Sequence, residues 1–450
     1  MAFSPQVYAE RRRSLMERLG PRAAALFVSS PEQVRSNDVD YIFRQDNDLL
    51  YLTGFGEPGS ACLLLPGAAE EFILFVRPRD PERETWTGKR AGVEGALERY
   101  HANAAFPIEE LDTKVRELAA EREQLFYAVG ANRELNDKVL GWLRQWQAQR
   151  PRSGSGPIAL IDPRDLIHEM RLIKSAEELE AMRHAAAVGA DGHLQALQAT
   201  RPGLYEYEIE ALIDYTFRRR GAAAPAYPTI VAGGANATIL HYISNDQRLR
   251  DGDLLLIDAG ADVDGYCSDI TRTFPIGTNF TAPQRELYEL VLQAQREAIA
   301  AVGPGASFEA PHQRVLEVLV EGLLQLGILR GAAAEIIEKQ EYRRFFMHRT
   351  SHWLGMDVHD VGHYKSGDAP RLLEPGMVLT IEPGLYIPQD CEDVEPRYRG
   401  IGIRIEDDVA VTASGHEVLT AAVPKEVPEL IELRAAARLA VPSGRESAVD

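Results

Sequence analysis

The chain has 450 residues, 45% hydrophobic and 26% charged, enough for two or three domains that each bury a core. With 49 basic against 68 acidic residues its formal charge is −19, which excludes nucleic acid and anionic membrane as main partners, since both select a basic surface. Three widely spaced cysteines (Cys62, Cys267 and Cys391) and no CxxC exclude a disulfide framework and a sulfur-rich zinc site, and favour a reducing compartment.

The first twenty residues carry arginines with no apolar run behind them, so they are not expected to form a secretory signal. No stretch approaches the length of a membrane span, and a cytoplasmic location is expected. Residues 5–20 predict an amphipathic helix with Tyr8, Leu15, Met16 and Leu19 on one face. Strand-like runs follow at 23–28, 48–55, 60–65 and 71–76, broken by Pro31, Pro58 and Pro66-Gly67. Helical patterns at 107–123 and 134–149 flank a strand at 125–129, and one more strand at 158–161 follows a composition break. This alternation predicts a small α/β domain over residues 1–173.

From Ser175 the pattern changes. Ser175 with Glu178 forms a capping box for a helix running to about residue 200, and a second helix is expected at 205–220. Thr281 with Gln284, and Pro283 between them, opens a helix over 284–302, and 308–326 is a fourth. Strand runs at 229–232, 254–274, 377–387 and 402–412 lie between and after these helices, so residues 174–440 read as an α+β domain. The polar tail 441–450 is expected to be disordered.

The stretch 254–274, LLLIDAGADVDGYCSDITRTF, reads as two strands joined by an Asp264-Gly265 turn. Its first strand is continuously apolar and so buried, yet it ends in Asp258, and the return strand carries Asp269. Two carboxylates facing across a buried hairpin repel unless a cation lies between them. Further candidate ligands lie in three places. His348, His352 and His359 fall within 347–360; Glu382 ends an apolar strand before Pro383-Gly384; and Arg404 and Glu406 share one face of a strand in GIGIRIEDD. Singly, each has an ordinary structural reading as a turn aspartate, a loop histidine or a salt bridge.

Taken in order, DAG…D, SHWLG, TIEPG and GIRIED resemble the five-ligand pattern of the pita-bread metallopeptidases, the family of methionine aminopeptidase, prolidase and aminopeptidase P. The resemblance to the aminopeptidase P branch covers nearly the whole chain. It includes Asp38, Tyr41, RQDND at 44–48, YLTGF at 51–55, Glu57-Pro58, WTGKR at 86–90, EMR at 169–171 with Lys174, and HDVG at 359–362. Arg349 departs from relatives that have glycine there, which bears on the local backbone of the histidine loop.

The resemblance implies a pita-bread catalytic domain behind the α/β domain, with two divalent ions. Asp258 would serve one ion, His352 and Glu382 the other, and Asp269 and Glu406 would bridge both. Four carboxylates and one imidazole favour Mn²⁺, with Co²⁺, Fe²⁺ or Zn²⁺ as alternatives. The implied activity is an aminopeptidase that releases the first residue of peptides with proline second, by attack of a metal-bridging hydroxide on the Xaa-Pro bond. Glu382 would be its proton shuttle and His359 would hold the scissile carbonyl. His241 and His348 would bind substrate, His241 also serving catalysis, and Arg404 would orient a bridging carboxylate and support substrate. The family further implies a homo-oligomer, tetramer or dimer, in which Asp38 and Trp86 reach toward a neighbour's site to restrict substrate. Prolidase, acting on Xaa-Pro dipeptides with the same metal centre, is the alternative.

Overall fold

A computed structural model describes residues 3–130 and 132–440; the expected disordered tail 441–450 lies outside the described residues. The chain forms two compact units, Met1–Arg171 and Leu172–Asp450.

The first unit is built on a mixed six-stranded sheet. Ala23–Val28, almost wholly buried, pairs antiparallel with Ala61–Leu64, which pairs antiparallel with Phe72–Val76. Ala104–Pro107, Gln124–Phe126 and Ala159–Ile161 extend it by parallel pairing. The strand expected at 48–55 is instead a helix, Asn47–Thr53. Asp46 caps it by accepting from Leu49 N at 2.9 Å, and Gly54 ends it in the left-handed region at φ 66°. The apolar run there is one helical turn facing the sheet, too short for its period to show.

The first helix, Pro5–Leu19, buries Arg11 and Arg12 beside Leu15 and Leu19, while Met16 is only half-buried. Both guanidinium groups bond carbonyls of the helix 47–53, Arg11 to Tyr51 O at 3.1 Å and Arg12 to Leu52 O at 2.8 Å. They also lie over the rings of Tyr51 and Phe72, so these charges are spent on a helix terminus and two aromatic faces. The helix expected at 107–123 begins only at Leu111, because Ala104–Pro107 is a strand and a 3₁₀ turn follows it. The short helices Pro81–Thr87, Gly92–Glu98 and Arg164–Leu172 carry too few turns to be read from periodicity.

In the second unit the helix Ala176–Ala199 starts at the expected capping box: Glu178 N donates to Ser175 Oγ at 3.3 Å, and Ser175 N to the Glu178 carboxylate at 3.0 Å. Helices Glu206–Arg219, Ala282–Ala300 and Ala310–Gln325 follow near their expected bounds. Val427–Ala440 is an additional helix.

The centre of this unit is a pair of antiparallel ribbons, each interrupted at mid-length. In the first, Leu254–Asp258 pairs with Thr271–Pro275, and beyond a break Ala261–Val263 pairs with Tyr266–Cys267. The turn residues Asp264 and Gly265 both have positive φ, as the expected two-residue turn demands. Gly260 sits at the break because a Cβ there would lie 1.7 Å from Ser268 O. In the second ribbon, Val378–Ile381 pairs with Asp407–Thr412, and Gly384–Ile387 with Ile401–Arg404. Pro383, which has no N–H to donate, falls at this interruption. The runs expected as single strands at 377–387 and 402–412 are therefore each two strands, and Glu406 lies in the break rather than on one continuous strand with Arg404.

The breaks abut: Glu406 N donates to Thr271 O at 3.0 Å, and Thr273 Oγ1 to Arg404 O at 2.9 Å. Leu255, Ile257, Phe274, Leu379, Ile381, Ile403 and Ile405 pack into one core with Val188, Leu197, Leu287, Val291, Val315 and Leu319 of the long helices. Burial of such side chains is worth about 1.5–3 kcal/mol each, which pins the ribbons and sets the direction in which the residues at the breaks point.

Candidate active site

Each break ends a strand with an acidic residue. Asp258 closes the first strand of ribbon one and Asp269 stands opposite it; Glu382 follows the first strand of ribbon two and Glu406 stands opposite. Asp258, Asp269, Glu382, Glu406, His241, His348, His352, His359 and Arg404 all line one cavity of about 880 Å³. Within it, ligand atoms of Asp269, His352 and Glu406 lie within 4.8 Å of one another.

The segment carrying His352 lies along the strand Val378–Ile381. Thr380 N donates to His352 O at 3.0 Å, and Leu354 N to Val378 O at 3.0 Å. His352 Nδ1 is 2.9 Å from Trp353 O, which makes Nδ1 a donor and turns Nε2 toward Asp269 Oδ2 at 3.4 Å and Glu382 Oε1 at 3.7 Å. Beyond it, residues 353–360 fold around Asp360, whose carboxylate accepts from Lys174 Nζ at 3.0 Å with both side chains buried. That loop delivers His359, whose ring centroid is 4.3 Å from that of His352. His348 Nε2 is 2.8 Å from the Tyr386 hydroxyl.

Arg404 is buried beneath the cluster. It bonds Asp258 Oδ2 at 2.6 Å, the Tyr386 hydroxyl at 3.0 Å and Thr271 Oγ1 at 3.0 Å. Thr271 in turn donates to Glu406 Oε2 at 2.7 Å, so the arginine meets Asp258 directly and Glu406 through a hydroxyl. Sequence reading missed Thr271, and it missed Tyr227, whose hydroxyl lies 2.6 Å from Asp258 Oδ1 and 2.5 Å from Asp269 Oδ1. Tyr227 stands in Ala224-Pro-Ala-Tyr-Pro228, where no regular pattern marks it and the two prolines read only as loop. Asp38 and Trp86 do not line this cavity; both are exposed on the first unit, Trp86 at 88%.

Burial and mutual repulsion raise the Asp258, Glu382 and Glu406 carboxyls, Glu382 to about 7. Burial alone would lower His352, but its hydrogen bond to Asp269 and the charge of Glu382 hold it up at about 9. Burial, reinforced by Arg404, pushes His348 down to about 3. Carboxyls raised by burial and by one another's charge, beside an imidazole held up by the same charges, show acids gathered closely around one centre. Four carboxylates with one imidazole fit a hard or borderline divalent cation.

The fold and this donor set define a pita-bread metallopeptidase. The chain belongs to metallopeptidase family M24, whose family model matches residues 180–413, and residues 8–127 match the aminopeptidase P N-terminal domain. It is 45% identical to the Xaa-Pro aminopeptidase of Haemophilus influenzae, over 95% of this chain and 96% of that protein. Among solved structures it is similar to Pseudomonas aeruginosa aminopeptidase PepP, with TM-score 0.95, 46% identity, and coverage of 98% and 100% of the two chains. It is also similar to zinc-substituted Escherichia coli aminopeptidase P in complex with product, with TM-score 0.93, 42% identity, and coverage of 97% and 100%.

Proposed function

We propose that this chain is a metal-dependent aminopeptidase that releases the first residue from peptides with proline at the second position. The observation that carries the reading is the meeting of Asp258, Asp269, His352, Glu382 and Glu406 on one cavity, in a chain similar along almost its whole length to proteins named Xaa-Pro aminopeptidase. Nothing in the structure favours the dipeptide-restricted alternative.

Those five residues would hold two divalent ions, Mn²⁺ in preference to Co²⁺, Fe²⁺ or Zn²⁺. Bound ions would make water nucleophilic at neutral pH and polarise the carbonyl of the first residue. Glu382 would carry a proton to the proline nitrogen, which must gain one to leave. His359 and His241 lie exposed at the cavity and offer ring nitrogens to the substrate carbonyl, with His348 held beside them by Tyr386. Arg404 fixes the orientation of Asp258. Leu240, Ile243, Phe308, Val358 and Tyr364 give the cavity apolar walls for the substrate and exclude water.

The first unit would restrict the substrate and carry oligomer contacts, with Asp38 and Trp86 reaching a neighbour's site in a homo-oligomer. The chain would work in the cytoplasm, a reading that fits the absence of a disulfide among Cys62, Cys267 and Cys391; no described helix is long and apolar enough to cross a membrane. The test is hydrolysis of an Xaa-Pro-Xaa tripeptide before and after chelation, with metal content measured in parallel. Release of the first residue that stops on chelation is expected. No release from the tripeptide overturns the reading, and release from Xaa-Pro dipeptides alone replaces it with prolidase.

A further inference from the structure

Glu206, the first residue of the helix Glu206–Arg219, has 0% exposure, and among the described residues no lysine, arginine or histidine pairs with it. Its carboxylate instead accepts four hydrogen bonds. Gly233 N and Asn236 Nδ2 reach Oε1 at 2.8 and 3.0 Å; the Tyr242 hydroxyl and Gln247 N reach Oε2 at 2.8 and 2.9 Å. A buried carboxylate is costly unless its acceptors are filled, so this one has a defined job. All four donors belong to a single segment, 233–247, which after the 3₁₀ turn Gly234–Thr238 has no helix or strand to hold it. Between the anchors at 236 and 247 lie Leu240, His241 and Ile243, all on the cavity. Tyr242 is buried against Glu206, while His241 and Ile243 on either side of it are exposed.

We propose that Glu206 is a positioning residue: it clamps segment 233–247 so that Leu240, His241 and Ile243 form one wall of the substrate site, and through them it governs substrate affinity without touching the metal ligands. The proposal rests on the reading of the cavity as a peptide site. Glu206→Gln keeps the size but turns an amide N–H₂ toward groups that are themselves donors. Tyr242→Phe deletes one bond and leaves the other three, so the fold survives it.

The experiment compares both variants with the parent in steady-state hydrolysis of an Xaa-Pro-Xaa peptide, in bound metal, and in amide hydrogen exchange. Expected are a KM raised about tenfold, a kcat that falls only as far as His241 is displaced, unchanged metal content, and faster exchange at 239–248 but not at 350–360. Unchanged KM and exchange overturn the proposal, and so does loss of bound metal with a fall in kcat. If the parent releases nothing from the peptide, the functional reading fails by itself; exchange at 239–248 still decides the clamp, surviving if faster in the variants and refuted if not.

Discussion

Tyr227 sets one hydroxyl between two buried carboxylates, and a single O–H can donate to only one of them at a time. Its removal in Tyr227→Phe leaves the ring in place but takes away the donor both acids share, with Asp258 keeping only its bond to Arg404, and metal affinity is expected to fall about 10–100-fold, as for other outer partners of metal ligands; competition against a chelating dye measures it. Glu406→Gln removes a charge from the cluster itself, and turnover of Xaa-Pro-Xaa should become undetectable together with a drop in bound metal; unchanged activity would remove Glu406 from the ligand set. The five candidate ligands were legible as a set, through the ordered motifs DAG…D, SHWLG, TIEPG and GIRIED, since singly each reads as an ordinary turn, loop or salt-bridge residue. Tyr227 and Thr271 were not, since what makes them matter is a neighbour more than thirty residues away and nothing in their local sequence.

The loop 353–360 is an element without regular structure, yet it is fixed by a buried ion pair, Lys174 with Asp360. Gly355 permits it: a Cβ there would lie 2.1 Å from Asp360 Oδ2 and 3.0 Å from Lys174 Cε. Gly355→Ala should therefore part the pair, and loss of a buried partner costs about 3–5 kcal/mol. Scanning calorimetry should show Tm lower by about 5–10 °C, with kcat/KM falling as His359 loses its place. At this scale the long helices of the second unit were legible from period and capping boxes. The helix Asn47–Thr53 was not, because one turn of Leu, Leu, Tyr and Leu reads equally well as a buried strand; Asp46 and Gly54, its cap and its stop, were the overlooked marks. The interruptions of the ribbons were half-visible, in Gly260 and Pro383, but whether a strand stops or merely bends there depends on its partner.

Across the whole molecule, the charge cluster makes metal-free stability depend on pH in a predictable direction. The folded protein holds the Glu382 proton up to about 7 against an ordinary 4.5, so between those values it binds more protons than the unfolded chain and loses stability as pH rises. His352, held at about 9 against 6.5, contributes fully below 6.5 and loses its contribution as pH climbs through 9. Both groups act with the same sign. Below about pH 6.5 the lowered histidines His193, His312 and His348 act with the opposite sign; above it they are neutral in both states, and Tm in chelator should decline from about pH 6.5 to about pH 9. Saturating Mn²⁺ should flatten that decline, since cations replace the protons.

The bond from Arg404 to Asp258 bears on how the centre fills. Asp269, His352 and Glu406 already converge, whereas Asp258 is engaged by a guanidinium and a phenol. If two ions bind as proposed, one is expected to take the convergent donors and the other to compete with Arg404 for Asp258, so calorimetric titration of chelator-treated protein should resolve a tight and a loose equivalent. At scarce metal supply most molecules would then be singly loaded.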